Sequence, residues 1–226
     1  MTKTCALITG ASSGIGRALA HEFARHGHPL VLVGRDVEAL ESLEAELRST
    51  YKVDAVVIAK DLSTHAAAEF VYSQTVERKL NVDILVNNAG FAVHGKFTET
   101  DLGKELQLVQ LQIANVLALT KFFLKPMRTR KSGAVLNVAS VYSFAPVPDQ
   151  AVYGACKAFM ASLNDALAQE VIADGIHFTL LCPGTTATNF RSRGGVTKSD
   201  PHKSGASPAF VAKLGYQGLM SKKSVV

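Results

Sequence analysis

Cys5-Ala6-Leu7-Ile8-Thr9-Gly10-Ala11-Ser12-Ser13-Gly14-Ile15-Gly16 is the stretch that decides how this chain folds. Its first four residues are apolar or small with no alternation, as in a strand covered on both faces. The glycines that follow permit a sharp turn. From Gly16 to His26, the residues Ala18, Leu19, Phe23 and Ala24 recur at helical spacing, with His21, Glu22 and Arg25 on the other face. Leu30-Val31-Leu32-Val33 is another doubly covered strand, so the N-terminus reads strand, helix, strand. The pattern then repeats: helix from Val37 to Thr50, strand from Ala55 to Ala59, helix from Ala66 to Lys79, strand at Ile84-Leu85-Val86. Leu102 to Arg130 predicts one long helix with few breakers before Pro126. After it come a strand from Ala134 to Val138, a helix from Tyr153 to Ala173, a strand from His177 to Leu181 and a helix from Val211 to Met220.

Six strands alternating with helices predict an α/β fold, a doubly wound parallel sheet flanked by helices and Rossmann-like, because right-handed crossovers lay helices over both faces. The length of 226 residues suits one domain over 1–226, and 47% hydrophobic against 19% charged residues excludes a disordered chain. The 24 Lys and Arg against 19 Asp and Glu are spread along the sequence, which allows an anionic ligand and does not call for nucleic acid. Cys5, Cys156 and Cys182 are far apart, without disulfide or zinc spacing, and fit a reducing compartment. The N-terminus lacks the pattern of a signal peptide and no segment is expected to span a bilayer, so a soluble cytoplasmic protein without membrane insertion is expected. Residues 188–208, rich in Gly, Ser and Lys toward their middle, are expected to form a substrate lid.

Ligands of such a sheet bind at the carboxyl ends of its strands. The glycine turn sits there, with the spacing Gly10-x3-Gly14-x-Gly16, between a strand and a helix start whose amides favour a pyrophosphate. At the end of the second strand, Gly34-Arg35-Asp36 offers a guanidinium in place of a carboxylate. That favours NADP over NAD, unless Arg35 is merely solvated and Asp36 turns inward to the ribose. Asp61 is placed either to accept from an adenine amino group or to cap the next turn. Asn87-Asn88-Ala89-Gly90 offers a smooth strand end against which a cofactor can lie, or side chains that tie strands together. Tyr153 and Lys157 share one helix face, where an ammonium would favour phenolate, and Ser140 follows a different strand. Each of the three also has a packing, solvated or capping role open to it.

Taken together, these motifs resemble the short-chain dehydrogenase/reductase family over essentially the whole chain: TGASSGIG at 9–16, NNAG at 87–90, Asn115, Ser140, Tyr153-x3-Lys157 and Pro183-Gly184-x3-Thr188. The resemblance implies Tyr153 as general acid/base and Ser140 as the group that polarises the carbonyl. Lys157 would hold the nicotinamide ribose, and Asn115 would interrupt the helix and hold a water in a proton path. It implies cofactor contacts from Gly10, Ser12, Ser13, Gly14, Ile15, Gly16, Arg35, Asp61, Leu62, Asn88, Ala89, Gly90, Tyr153, Lys157, Pro183, Gly184, Thr186 and Thr188, and no metal. The expected function is an NADP(H)-dependent oxidoreductase acting on a carbonyl or alcohol with a hydrophobic body, because the loops at 91–97 and 143–148 are apolar. His94 is not cast in catalysis. A same-fold epimerase or dehydratase, or a non-catalytic nucleotide-sensing interaction protein, are the alternatives. The resemblance further implies a homodimer or homotetramer. Ser221 to Val226 resembles the beginning of the family's final strand, so the C-terminus is expected to be shortened.

Overall fold

A computed structural model describes residues 4–188, 190 and 205–226. Six strands form one parallel sheet: β1 (Cys5–Thr9), β2 (Leu30–Gly34), β3 (Ala55–Ala59), β4 (Val82–Asn87), β5 (Gly133–Val138) and β6 (Ile176–Leu181). Their order is β3-β2-β1-β4-β5-β6, so the chain reverses its direction of winding between β1 and β4. The helices are α1 (Gly14–Arg25), α2 (Val37–Tyr51), α3 (Ala67–Glu77), α4 (Leu102–Val109), α5 (Asn115–Arg130), α6 (Ala151–Val171) and α7 (Pro208–Met220).

The unbroken apolar strands have their reason in two separate cores. Ala6, Ile8, Leu30 and Leu32 face one core with Leu19 and Phe23 of α1, Leu40 of α2 and Leu219 of α7. Leu7, Val31, Val33 and Leu85 face the other, with Val71 of α3 and Leu119 and Phe123 of α5. Neither face of the central strands meets water, so period-two alternation is absent. Caps set several helix starts: Asp36 accepts from the Ala39 N–H at 3.1 Å and Asp101 from the Lys104 N–H at 2.8 Å. At the sheet edge, the Ala55 and Val57 carbonyls accept from Arg48 and Arg78 at 3.2 and 3.1 Å. Tyr216 of α7 stacks on His26 with centroids 4.2 Å apart and meets the Phe23 ring edge-on at 5.0 Å, clasping α7 to α1.

Some expectations are corrected. The helical segment 102–130 holds one wider turn, Gln110–Ala114, in which the Asn115 N–H bonds back to the Gln110 carbonyl. By length and composition this segment is also long and apolar enough to cross a membrane, with mean hydropathy 1.2 over 18 residues, against the expectation of no such stretch; 44% of those residues are buried inside the protein. Strand β4 starts earlier than its apolar run, because Asp83 accepts from the Cys5 N–H at 2.9 Å and so belongs to the sheet despite its charge. Ser224 and Val226 bond with β6 in parallel, through Leu180 N–H to Ser224 O at 2.8 Å and Val226 N–H to Leu180 O at 2.9 Å. Most of the expected lid, residue 189 and residues 191–204, lies outside the described residues. Its described end is tied down by Ala187 N–H to Ala206 O and Ala206 N–H to Thr185 O, both 3.0 Å.

Candidate active site

A cleft of about 2050 Å³ runs across the carboxyl ends of the strands, from the β1–α1 turn to Tyr153. The turn is built for close approach. Gly10 has φ +66°, and a Cβ there would lie 2.9 Å from the Ala89 Cα. A Cβ on Gly16 would lie within 2.2 Å of the Gly10 carbonyl oxygen, so helix α1 sits directly on the turn. The first turn of α1 carries no acidic residue, which leaves its positive end to face an anion. Gly10, Ser12, Ser13, Gly14 and Ile15 line the cleft. Gly16 supports it from behind.

Opposite the turn, Asn88 is bound to β1: its side-chain nitrogen donates to the Thr9 carbonyl at 2.8 Å and its N–H to Thr9 Oγ1 at 2.9 Å. Thr9 Oγ1 also accepts from the Ala89 N–H at 3.0 Å and donates to the Val86 carbonyl at 3.2 Å. Thr9 therefore knits the glycine turn to the Asn88-Ala89-Gly90 segment that lines the cleft, a role that the sequence reading missed; a threonine just ahead of the first glycine was its only signal. Asn87 ties strands together, donating to Asn137 Oδ1 on β5 at 2.9 Å and to Thr120 Oγ1 on α5 at 3.2 Å.

At one end of the cleft lie exposed Arg35 with Lys60, Asp61 and Leu62. Asp36 does not turn inward, because its carboxylate caps α2. Asp61 takes the capping role, accepting from the Ser63 N–H at 2.9 Å and the Ser63 hydroxyl at 2.7 Å. Burial alone would raise its pKa, but these bonds and the Arg35 and Lys60 charges hold the carboxyl below the usual range.

At the other end, Ser140 caps a short turn after β5, its Oγ accepting from the Tyr142 N–H at 3.2 Å. Tyr153, in the first turn of α6, is 7% exposed. The Tyr142 ring meets it edge-on at 6.2 Å and the Phe190 ring is tilted against it at 5.7 Å. Burial pushes the phenol up to about 12, and a hydrogen bond with Ser140 pulls weakly the other way. Burial thus works against the stabilisation of phenolate expected from the neighbouring Lys157. The Lys157 amine donates to the Val138 carbonyl at 2.9 Å and lies 5.6 Å from the Tyr153 ring centroid. Lys157 is itself buried, which pushes it down to about 8. In this arrangement Tyr153 is a neutral proton donor near pH 7.

Pro183, Gly184, Thr186 and Thr188 follow β6 along the cleft wall, with Thr188 lying against Gly14. Asn115 is buried just after the wide turn and does not line the cleft, and its Oδ1 has no hydrogen-bond partner among the described residues. The structure thus brings the sequence-selected residues to one cleft, except Gly16, which packs under the glycine turn, and Asn115, which does not line it. His94 lines it from an exposed loop. The glycine cradle, the helix start and the polar strand ends fit a dinucleotide.

The sequence matches the family described as short chain dehydrogenase over residues 4–197. An uncharacterized oxidoreductase of Staphylococcus epidermidis is 30% identical over 183 residues, covering 81% of this chain and 78% of that one. Among solved structures, a short-chain dehydrogenase from Sphingobium yanoikuyae in complex with NADPH superposes with a TM-score of 0.90 at 32% identity, covering 99% of this chain and 87% of that one. A bulky-bulky ketone specific alcohol dehydrogenase from Comamonas testosteroni gives 0.88 at 30% identity, covering 100% and 86%. The chain therefore belongs to the short-chain dehydrogenase/reductase family, oxidoreductases that act on a carbonyl or alcohol with NAD(P)(H).

Proposed function

We propose that the protein is an NADP(H)-dependent carbonyl reductase. The observation that carries this reading is the pairing of Tyr153 with Ser140, beside the buried Lys157 amine, at one end of a cleft whose other end is a glycine turn and an arginine. A nicotinamide coenzyme bound there would supply the hydride. Ser140 holds the carbonyl oxygen, and Tyr153, kept protonated by burial, delivers the proton that the developing alkoxide needs. Lys157 would hold the ribose, and the buried Asn115 oxygen is free to hold a water in the proton path.

The preference for NADP rests on Gly34-Arg35. The glycine leaves room, Arg35 lines the cleft near Asp61, and the neighbouring Asp36 is occupied as a cap. The NADPH bound by the Sphingobium yanoikuyae protein agrees with that reading. Phe91, Val93, Leu111, Tyr142, Phe190 and Phe210 line the substrate end, which suits a ketone or aldehyde with a hydrophobic body. The Comamonas testosteroni enzyme, described as specific for bulky-bulky ketones, is consistent with it. Exposed Leu102, Leu106 and Leu117 on the α4–α5 segment support assembly as a homodimer or homotetramer, and the reading is of a cytoplasmic enzyme.

Tyr153→Phe keeps the ring and removes the proton. NADPH oxidation against a panel of hydrophobic ketones and aldehydes should fall by about 10²–10⁴-fold while NADPH binding persists. Turnover at the wild-type rate would overturn the assignment. Product formed without net NADPH consumption would move it to an epimerase or dehydratase.

A further inference from the structure

Ser140 and Tyr153 are not the only polar groups at the substrate end of the cleft. Tyr142 belongs to the short turn after β5, and its N–H donates to Ser140 Oγ at 3.2 Å, so the backbone fixes its place relative to the serine. Its ring meets that of Tyr153 edge-on, with the planes 86° apart, and both residues line the cleft. The two phenols are close enough for a charge on Tyr142 to be felt at Tyr153. Just ahead of Tyr153, at the N-cap position of α6, Gln150 also lines the cleft, and its side chain does not cap the helix. Neither the Tyr142 hydroxyl nor the Gln150 carboxamide has a hydrogen-bond partner among the described residues.

These two groups are out of keeping with their surroundings. Phe91, Ala92, Val93, Leu111 and Phe190 make other parts of that wall apolar. A phenylalanine at 142 and a leucine at 150 would serve a hydrocarbon substrate equally well. In the open cleft, water satisfies the phenol and the amide. Once a hydrophobic body enters, that water is displaced, and a substrate with no matching oxygen leaves both groups desolvated and unpaired. A site of this kind discriminates against the analogue that lacks the oxygen. Because Tyr142 is tied to the serine and in ring contact with the tyrosine, the oxygen it meets lies on the carbon next to the carbonyl.

We infer that Tyr142 and Gln150 form a second oxygen site, and that the preferred substrates are carbonyl compounds with an apolar body and a hydroxyl or oxo group on the adjacent carbon. The Tyr142 hydroxyl donates to that second oxygen. The Gln150 amide donates to an oxo group or accepts from a hydroxyl. The reaction itself is unaltered: the carbonyl carbon gains a hydride from the coenzyme, its oxygen gains the Tyr153 proton, and the second oxygen keeps its bonds. The inference rests on the carbonyl-reductase reading of the cleft and deepens it.

α-Hydroxyacetophenone and propiophenone are matched in size, the first carrying a hydroxyl where the second carries a methyl group. Their kcat/KM values with NADPH are compared in wild type and in two variants of the full chain. Tyr142→Phe should lower the ratio of hydroxy ketone to plain ketone about tenfold, the scale of one hydrogen bond to a substrate. Gln150→Leu should lower it about threefold. The intrinsic reactivities of the two ketones are the same for every variant and cancel from the comparison. A ratio in Tyr142→Phe within about twofold of wild type would overturn the inference. So would equal losses on both ketones, which mark a packing role. If wild-type protein reduces neither ketone, the reductase reading fails on its own. Calorimetric titration of each ketone into wild type and Tyr142→Phe, with and without NADPH, then decides the oxygen site: weakened binding of the hydroxy ketone alone supports it, and an unaltered preference overturns it.

Discussion

Lys157→Met separates the stability of this fold from its chemistry. The Lys157 amine is buried with one hydrogen bond, to the Val138 carbonyl, and burial lowers it from 10.5 to about 8, the nearby Cys156 and Cys182 sulfurs partly offsetting this. At about 1.4 kcal/mol per pH unit, holding the ammonium folded at neutral pH costs about 3 kcal/mol. Methionine removes that cost but orphans the Val138 carbonyl, worth about 1–3 kcal/mol in the other direction. The variant should then match or slightly exceed wild-type stability at pH 7 while losing turnover. The pH dependence is the sharper quantity. Between pH 8 and 10.5 the unfolded chain binds a proton that the folded chain does not, so this group makes wild-type stability rise with pH; below pH 8 both states are protonated and the cost is constant. Cys156, Cys182 and Tyr153 are raised by burial from 9.0, 9.0 and 10.0, so they lower stability as the pH climbs through the upper part of this window, but they do so in both proteins and largely cancel from the difference. The stability of Lys157→Met relative to wild type should therefore decline by about 2 kcal/mol or more from pH 7 to pH 10. Urea unfolding at pH 7, 8, 9 and 10 measures it. A difference that stays constant across that range would refute the reasoning.

Arg35→Ala should weaken NADPH about tenfold or more and leave NADH nearly unchanged, as read by fluorescence titration; equal losses for both would remove the 2'-phosphate contact. Thr9→Val keeps its shape but strands the Asn88 and Ala89 N–H groups, and should cost about 2–4 kcal/mol in chemical unfolding. Tyr216→Ala deletes the ring that stacks on His26 and meets Phe23, and should destabilise by about 3–4 kcal/mol through the lost α1–α7 clasp. A thermal midpoint close to wild type would show that α7 is held by something else.

The sheet was legible because both faces of its central strands are covered, which writes unbroken apolar runs such as 5–8 and 30–33 into the chain. Where a strand residue is paired by a distant group, the run is interrupted and the boundary is lost; Asp83, held to the Cys5 N–H, hid the start of β4 in this way. The π turn was not legible at all, since Gln110 to Ala114 have the composition of any helix and only the register of the Asn115 N–H reveals it. The convergence of Ser140, Tyr153 and Lys157 on one cleft followed from strand-end position and four-residue spacing. What spacing could not give is the opposing effect of burial, which raises the Tyr153 phenol and depends on Tyr142, Phe190 and the loops around them. Thr9 was missed because its work is done on backbone atoms remote in sequence.

The two arginines on the outer carbonyls of β3 also have a bearing on how the protein behaves when crowded. A bare flank of this sheet would offer unsatisfied acceptors to the corresponding flank of another copy, the first step toward ribbon-like polymers. Arg48 and Arg78 already occupy two of those acceptors, Arg48 held in place by its ion pair with Glu44 and Arg78 by a bond to the Gln74 side chain. Removing both should leave the cleft untouched while shortening the shelf life of concentrated stocks.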